Sequence, residues 1–178
     1  MPEKPAVIKQ DSIWKKMELP ADTMLEHQIG PVWLRMEWDG VEIKLAFGNT
    51  ETEAPEQISD SDWHRWACSQ KKPIVDIKPV FPDMPVVVKP ENPFRVAEDA
   101  EARLFIRVPV WIRVTLLGKP PTILLEIPSV ILSKTWFGGF DEGDLCYWIS
   151  SGGRHEIEPD PDRPYMALVL PLDLAMLR

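Results

Sequence analysis

Alternation of apolar and polar positions dominates the chain. PVWLRMEWDGVEIKLAFGN sets Val32, Leu34 and Met36 against Trp33, Arg35 and Glu37, then Val41, Ile43 and Leu45 against Glu42 and Lys44. Asp39–Gly40 separates the two runs, and Asp-Gly between alternating segments is the strongest short-range sign of a β-hairpin. The longest alternation runs from Ala102 to Leu117. Ile106, Val108, Val110, Ile112 and Val114 form one face; Arg107, Pro109, Trp111 and Arg113 form the other. A period of two over that length predicts a half-buried strand. Pro109 removes a backbone donor, so this strand is expected at a sheet edge or with a bulge.

Shorter runs extend the pattern. IVDIKPVF, PVVVKP, TILLEIPSVILS with a bend at Pro128, YWISS and YMALVLPLDLAML read as strands, and LGKPPT reads as a turn. The first 30 residues read as two short stretches of helical or irregular character, broken at Pro20. SDSDWHRWACSQKK predicts one helix over about residues 59–71. Ser59 or Ser61 would cap it, Asp60 and Asp62 would suit its dipole, and Trp63, Trp66, Ala67 and Gln70 would share a face. Many short strands between turn signals predict a mainly β protein, an antiparallel β-sandwich or open barrel with that one helix. Residues 1–72 are expected to supply a hairpin and the helix, packing on a sheet core in 73–178, as one compact unit overall.

Composition agrees. The 19 prolines in 178 residues are about twice the usual share, and scattered prolines interrupt helices. The net charge of −8 disfavours phosphate backbones, so no nucleic-acid partner is expected. No apolar run reaches the roughly 20 residues of a membrane span, and MPEKPAVIKQ lacks a signal-peptide core. Cys68 and Cys146 fit no metal or redox spacing, so a reduced, cytoplasmic protein is expected.

Candidate chemistry is thin. His64 and Cys68 lie at i, i+4 on the expected helix, but a zinc site needs three or four ligands; His27, His155 and Cys146 supply them under no evident rule. Asp141, Glu142 and Asp144 around Gly143 do not match a twelve-residue calcium loop. Cys146 beside His155 is the one nucleophile-base pair, yet LCYWI reads as a buried strand that makes the thiol inert. The glycine pairs Gly138–Gly139 and Gly152–Gly153 belong to no phosphate-binding motif. No catalytic residue, metal or cofactor is therefore assigned.

Three segments together resemble a known family: HRWA, PDMPVVVKPENPFRVAEDAEARLFIRVPVWIRV, and LLEIPSVILSKTWFGGFDEGDLCYWI. As a set, PVWIRV followed by TWFG and LCY is similar to domain of unknown function 432, an uncharacterised prokaryotic family, mostly archaeal and sulfate-reducing bacterial. The resemblance covers about Trp33 to Trp148. It implies a β-rich architecture and no activity. It also implies members with further C-terminal strands, so this chain reads as a short member or one whose last strands come from a partner.

The function expected from the residues is non-enzymatic: interaction with a protein partner, or self-association as a homo-oligomer. The binding residues expected are Arg107, Trp111 and Arg113 on the edge-like strand, with Trp136 and Phe137 in an exposed loop tip running to Phe140. Arginine and aromatic residues are enriched in interface hot spots. The alternatives are a small-ligand or carbohydrate-binding β-sandwich using exposed tryptophans, and an enzyme of unrecognised type.

Overall fold

The computed structural model describes residues 7–9, 14–49, 54–90, 106–151, 163 and 165–169. The fold is mainly β, with several largely antiparallel sheets and none closed into a barrel. The strands are β1 (Val7–Lys9), β2 (Lys15–Glu18), β3 (Met24–Ile29), β4 (Val32–Trp38), β5 (Glu42–Asn49), β6 (His64–Ala67) and β7 (Ile74–Val80). They continue with β8 (Val86–Pro90), β9 (Ile106–Pro109), β10 (Trp111–Leu116), β11 (Thr122–Pro128), β12 (Ser133–Phe137), β13 (Asp144–Ser151) and β14 (Met166–Val169). The chain forms two compact units: Met1–Val80 with Trp111–Ser129, and Phe81–Val110 with Val130–Arg178.

The first unit contains a five-stranded sheet, β1-β3-β4-β5-β6, and a four-stranded sheet, β11-β10-β7-β2. The Asp39–Gly40 hairpin forms as its sequence predicts, with Trp38 opposite Ile43. Gly40 takes φ +91°, a conformation that side chains resist. Asp39 Oδ1 accepts from the amides of Val41 and Glu42 at 3.0 and 2.9 Å. Those two bonds, with Lys44 alongside, lower the Asp39 carboxyl to about 2.

Strand β4 is covered on both faces. Val32, Leu34, Met36 and Trp38 line the core face with Leu25, His27, Ile29, Ile43 and Leu45. On the other face the Trp33 ring lies over Gly48, its cross-strand partner, where any Cβ would come within 2.6 Å of the indole. Arg35 is also buried there. Its Nε donates to Glu26 Oε2 at 2.7 Å, its Nη1 donates to the Pro55 carbonyl, and its guanidinium lies 6.0 Å from the Trp33 ring centre. The buried Arg35 charge is therefore satisfied within the protein, whereas the Trp38 indole N–H is buried on the core face with no hydrogen-bond partner among the described residues.

Three expectations need correction. The helix over 59–71 does not form: Asp60–Asp62 make one 3-10 turn, and His64–Ala67 make β6 at the sheet edge. The acidic start does initiate a turn, with the Asp62 amide donating to the Ser59 carbonyl. Backbone pairing with β5 then overrides helical spacing, aided by the Arg65–Glu42 ion pair and by His64 stacking on Phe47 at 5.5 Å. The described opening residues include the strands β1, β2 and β3, where helical or irregular stretches are expected. In β3 the alternation was masked because a histidine, His27, occupies a core position.

The long alternating strand is divided. Residues 102–105 lie outside the described residues; from Ile106 the phase persists, but the chain changes sheets at Pro109–Val110. Strand β9 pairs with β14, whereas β10 lies between β7 and β11. Proline has no N–H to continue a ladder, which suits a change of partner at this point. The segment before residue 72 and the segment after it also share a sheet, since β7 pairs with β2.

The second unit holds a three-stranded sheet, β12-β13-β8, and the β14-β9 pair. Among its described residues the buried apolar side chains are Val108, Val110, Cys146 and Ile149. Strand β13 is antiparallel to β12 and parallel to β8. The Tyr147 hydroxyl donates to Asp83 Oδ1 at 3.0 Å, anchoring β13 to the segment before β8. Burial, then this bond, raises the phenol's pKa.

Candidate functional site

The structure separates the sequence-predicted site residues. Arg107 lies on β9 in the second unit; Trp111 and Arg113 lie on β10 in the first. The edge expected for Trp111 and Arg113 does not exist, because β10 is hydrogen-bonded on both sides. Arg113 donates from Nε to Glu126, its cross-strand partner, so its charge is engaged within the sheet. Trp111 is half-buried on the same face. Three of the five residues thus lose the argument that grouped them.

Trp136 and Phe137 remain together and gain a setting. They belong to strand β12, not to a loop tip, and the turn begins at Gly138. Among the described residues no strand pairs with the outer edge of β12. Adjacent residues in a strand point to opposite faces. Trp136 therefore shares one face with Lys134, Leu145 and Tyr147, while Phe137 shares the other with Thr135, Asp144, Cys146 and Trp148. Trp136 is 54% exposed, Phe137 61% and Leu145 47%, and Phe140 in the turn is 95% exposed.

The turn fixes this arrangement. Gly138 takes φ +113°. The Trp136 Nε1 donates to the Gly139 carbonyl at 2.9 Å, and its ring rests on Gly143, where a Cβ would come within 2.2 Å of Nε1. The indole is held in place while much of its surface stays open. Asp141, Glu142 and Asp144 surround the turn and are exposed. Among the described residues no ion pair engages these carboxylates.

The described catalytic and metal candidates are not brought together. Cys146 is 2% exposed, as its place in LCYWI predicts, and Cys68 is also a buried free thiol. His64 stacks on Phe47 and has lost the helical relation to Cys68. His155 lies outside the described residues. No group of three or more His, Cys, Asp or Glu among the described residues is placed to hold a metal ion. The buried Arg35–Glu26–Pro55 cluster is closed, and its geometry is that of a latch over the sheet.

Sequence reading missed the free edge itself. Its signal was adjacent Trp-Phe in a short run: neighbours in a strand expose both faces. Leu145 and Trp148 were read as starting a core strand, but their hairpin partners Trp136 and Ser133 leave them partly open.

The fold and this edge define a mainly β protein with an aromatic, acid-rimmed hairpin whose outer strand has one paired neighbour among the described residues. The chain belongs to the family described as Protein of unknown function (DUF432), whose model matches residues 13–173. That span exceeds the segments that first suggested the resemblance. No curated protein and no solved structure matches the chain. No helix among the described residues is long and apolar enough to cross a membrane.

Proposed function

We propose that the protein works by protein–protein recognition, taking up an extended segment of a partner along the edge of β12. One observation carries this reading: large apolar side chains flank, on both faces of the hairpin, an edge that no strand among the described residues pairs with. A partner lying flat on one face would leave the other in water. A strand added edge-on meets both, because its own side chains alternate. Native edges are usually blunted by charge, proline or a bulge. Here β12 has Lys134 alone and pairs with β13 without a register shift. The first unit, taken by itself, is read as a β-sandwich, and the buried free thiols fit a reducing compartment such as the cytoplasm.

The test is selection of binders from a random displayed-peptide library on the full chain. The reading expects enriched peptides with apolar residues at every second position that fail to bind Trp136→Ser/Phe137→Ser. Enriched peptides indifferent to that double substitution would reject it.

A further inference from the structure

Resting on that reading, we infer that the partner segment is basic and carries arginine beside its apolar positions. The hairpin places three exposed carboxylates, Asp141, Glu142 and Asp144, within a few residues of Trp136, Phe137 and Phe140. Asp144 is the direct cross-strand partner of Phe137. Lys134, at the far end of β12 from the turn, is the one cation on the two strands. A segment entering along β12 therefore meets aromatic rings and negative charge together at the turn.

Arginine answers both features. Its planar guanidinium stacks on aromatic faces and forms forked hydrogen bonds to carboxylates, whereas lysine offers a compact, strongly hydrated charge. Charge complementarity also argues against the competing occupants. A second copy brings another −8 and another acid-rimmed turn. An anionic lipid surface repels the same three carboxylates, although exposed tryptophan and phenylalanine would otherwise suit a membrane interface.

The experiment uses the full chain and three synthetic peptides that alternate valine with arginine, glutamine or glutamate. Affinity is read by peptide fluorescence anisotropy at low salt and at about 0.3 M salt, where surface charges are largely screened. The arginine peptide is expected to bind at least about tenfold tighter than the glutamine peptide at low salt, and the glutamate peptide weakest. The gap should shrink at high salt and in Asp141→Asn/Glu142→Gln/Asp144→Asn. It should persist in Asp22→Asn/Asp60→Asn/Asp62→Asn, which changes net charge equally but lies in the other unit.

Equal binding of the arginine and glutamine peptides, both lost in Trp136→Ser/Phe137→Ser, would overturn the basic partner and leave edge recognition standing. Arginine-peptide binding that survives this double substitution would overturn both. A concentration-dependent dimer abolished by the double substitution would assign the edge to a second copy and overturn the inference. So would aromatic-dependent binding to vesicles of phosphatidylcholine with phosphatidylserine.

Discussion

Strands β4 and β12 both carry tryptophan and meet opposite fates. VWLRMEW holds two tryptophans and an arginine, and its side chains from Val32 to Met36 are all buried. SKTWF holds a tryptophan and a phenylalanine, and every residue but Thr135 is exposed. VWLRMEW is the more apolar of the two, and its neighbours widen the difference. Strand β4 has a paired strand on each side and a segment latched over its outer face through Arg35 and Pro55. Strand β12 has one paired neighbour among the described residues. Burying a tryptophan in one place and leaving it open in the other is what distinguishes a core strand from an exposed edge strand.

This contrast predicts unequal costs for equivalent changes. Leu34→Ala, at a fully buried site in β4, should cost about 3 kcal/mol in urea unfolding monitored by circular dichroism. A loss near zero would break the comparison on the core side. Acid should weaken the same sheet. His27 is 1% exposed with both ring nitrogens unpartnered, and burial, reinforced by the charge of Lys15, lowers its pKa to about 4.

The unfolded chain, with histidine near 6.5, takes up the proton more readily than the folded one. Stability should therefore be fully present above about pH 6.5, fall as pH drops, and level off below about 4, a contribution of about 3 kcal/mol. The positive charge of Lys15 on β2 adds to burial in disfavouring the imidazolium. His27→Leu should remove this part of the pH dependence; parallel curves for both proteins would refute the assignment.

Arg35→Ala should cost about 2 kcal/mol, because Glu26, 12% exposed, would lose the guanidinium hydrogen bond and the Pro55 carbonyl its donor. A thermal unfolding series with Glu26→Ala tests the coupling. In the hairpin, Gly143→Ala drives a Cβ into the Trp136 ring and should cost about 1 kcal/mol while displacing the indole from Gly139. Smallest of all, Phe137→Ala and Phe140→Ser should change stability by less than about 0.5 kcal/mol, since both side chains are already in water. A large loss at either would show that the hairpin is core.

The mainly β fold was legible because Asp39–Gly40 and the alternation around it specify a local pairing that needs no distant partner. The helix over 59–71 failed for the converse reason. DWHRWA has helical spacing, but an open edge on β5 offered it stronger backbone partners. The strand through Pro109 kept its phase and lost its assumed identity, since alternation reports which face a residue takes and not which sheet receives it. That is why Trp111 and Arg113 were placed on an edge that tertiary pairing closes. Trp136 and Phe137 are exposed as expected, but on strand β12 rather than in a loop tip, because the turn begins only at Gly138.

The most direct test of edge recognition is hydrogen–deuterium exchange across β12 with and without the valine-arginine peptide. The backbone amides of Ser133–Phe137 that face away from β13 should exchange more slowly on binding, as an added strand takes up their open hydrogen bonds. Peptide binding that leaves those amides unprotected, with protection appearing elsewhere or nowhere, would contradict the account.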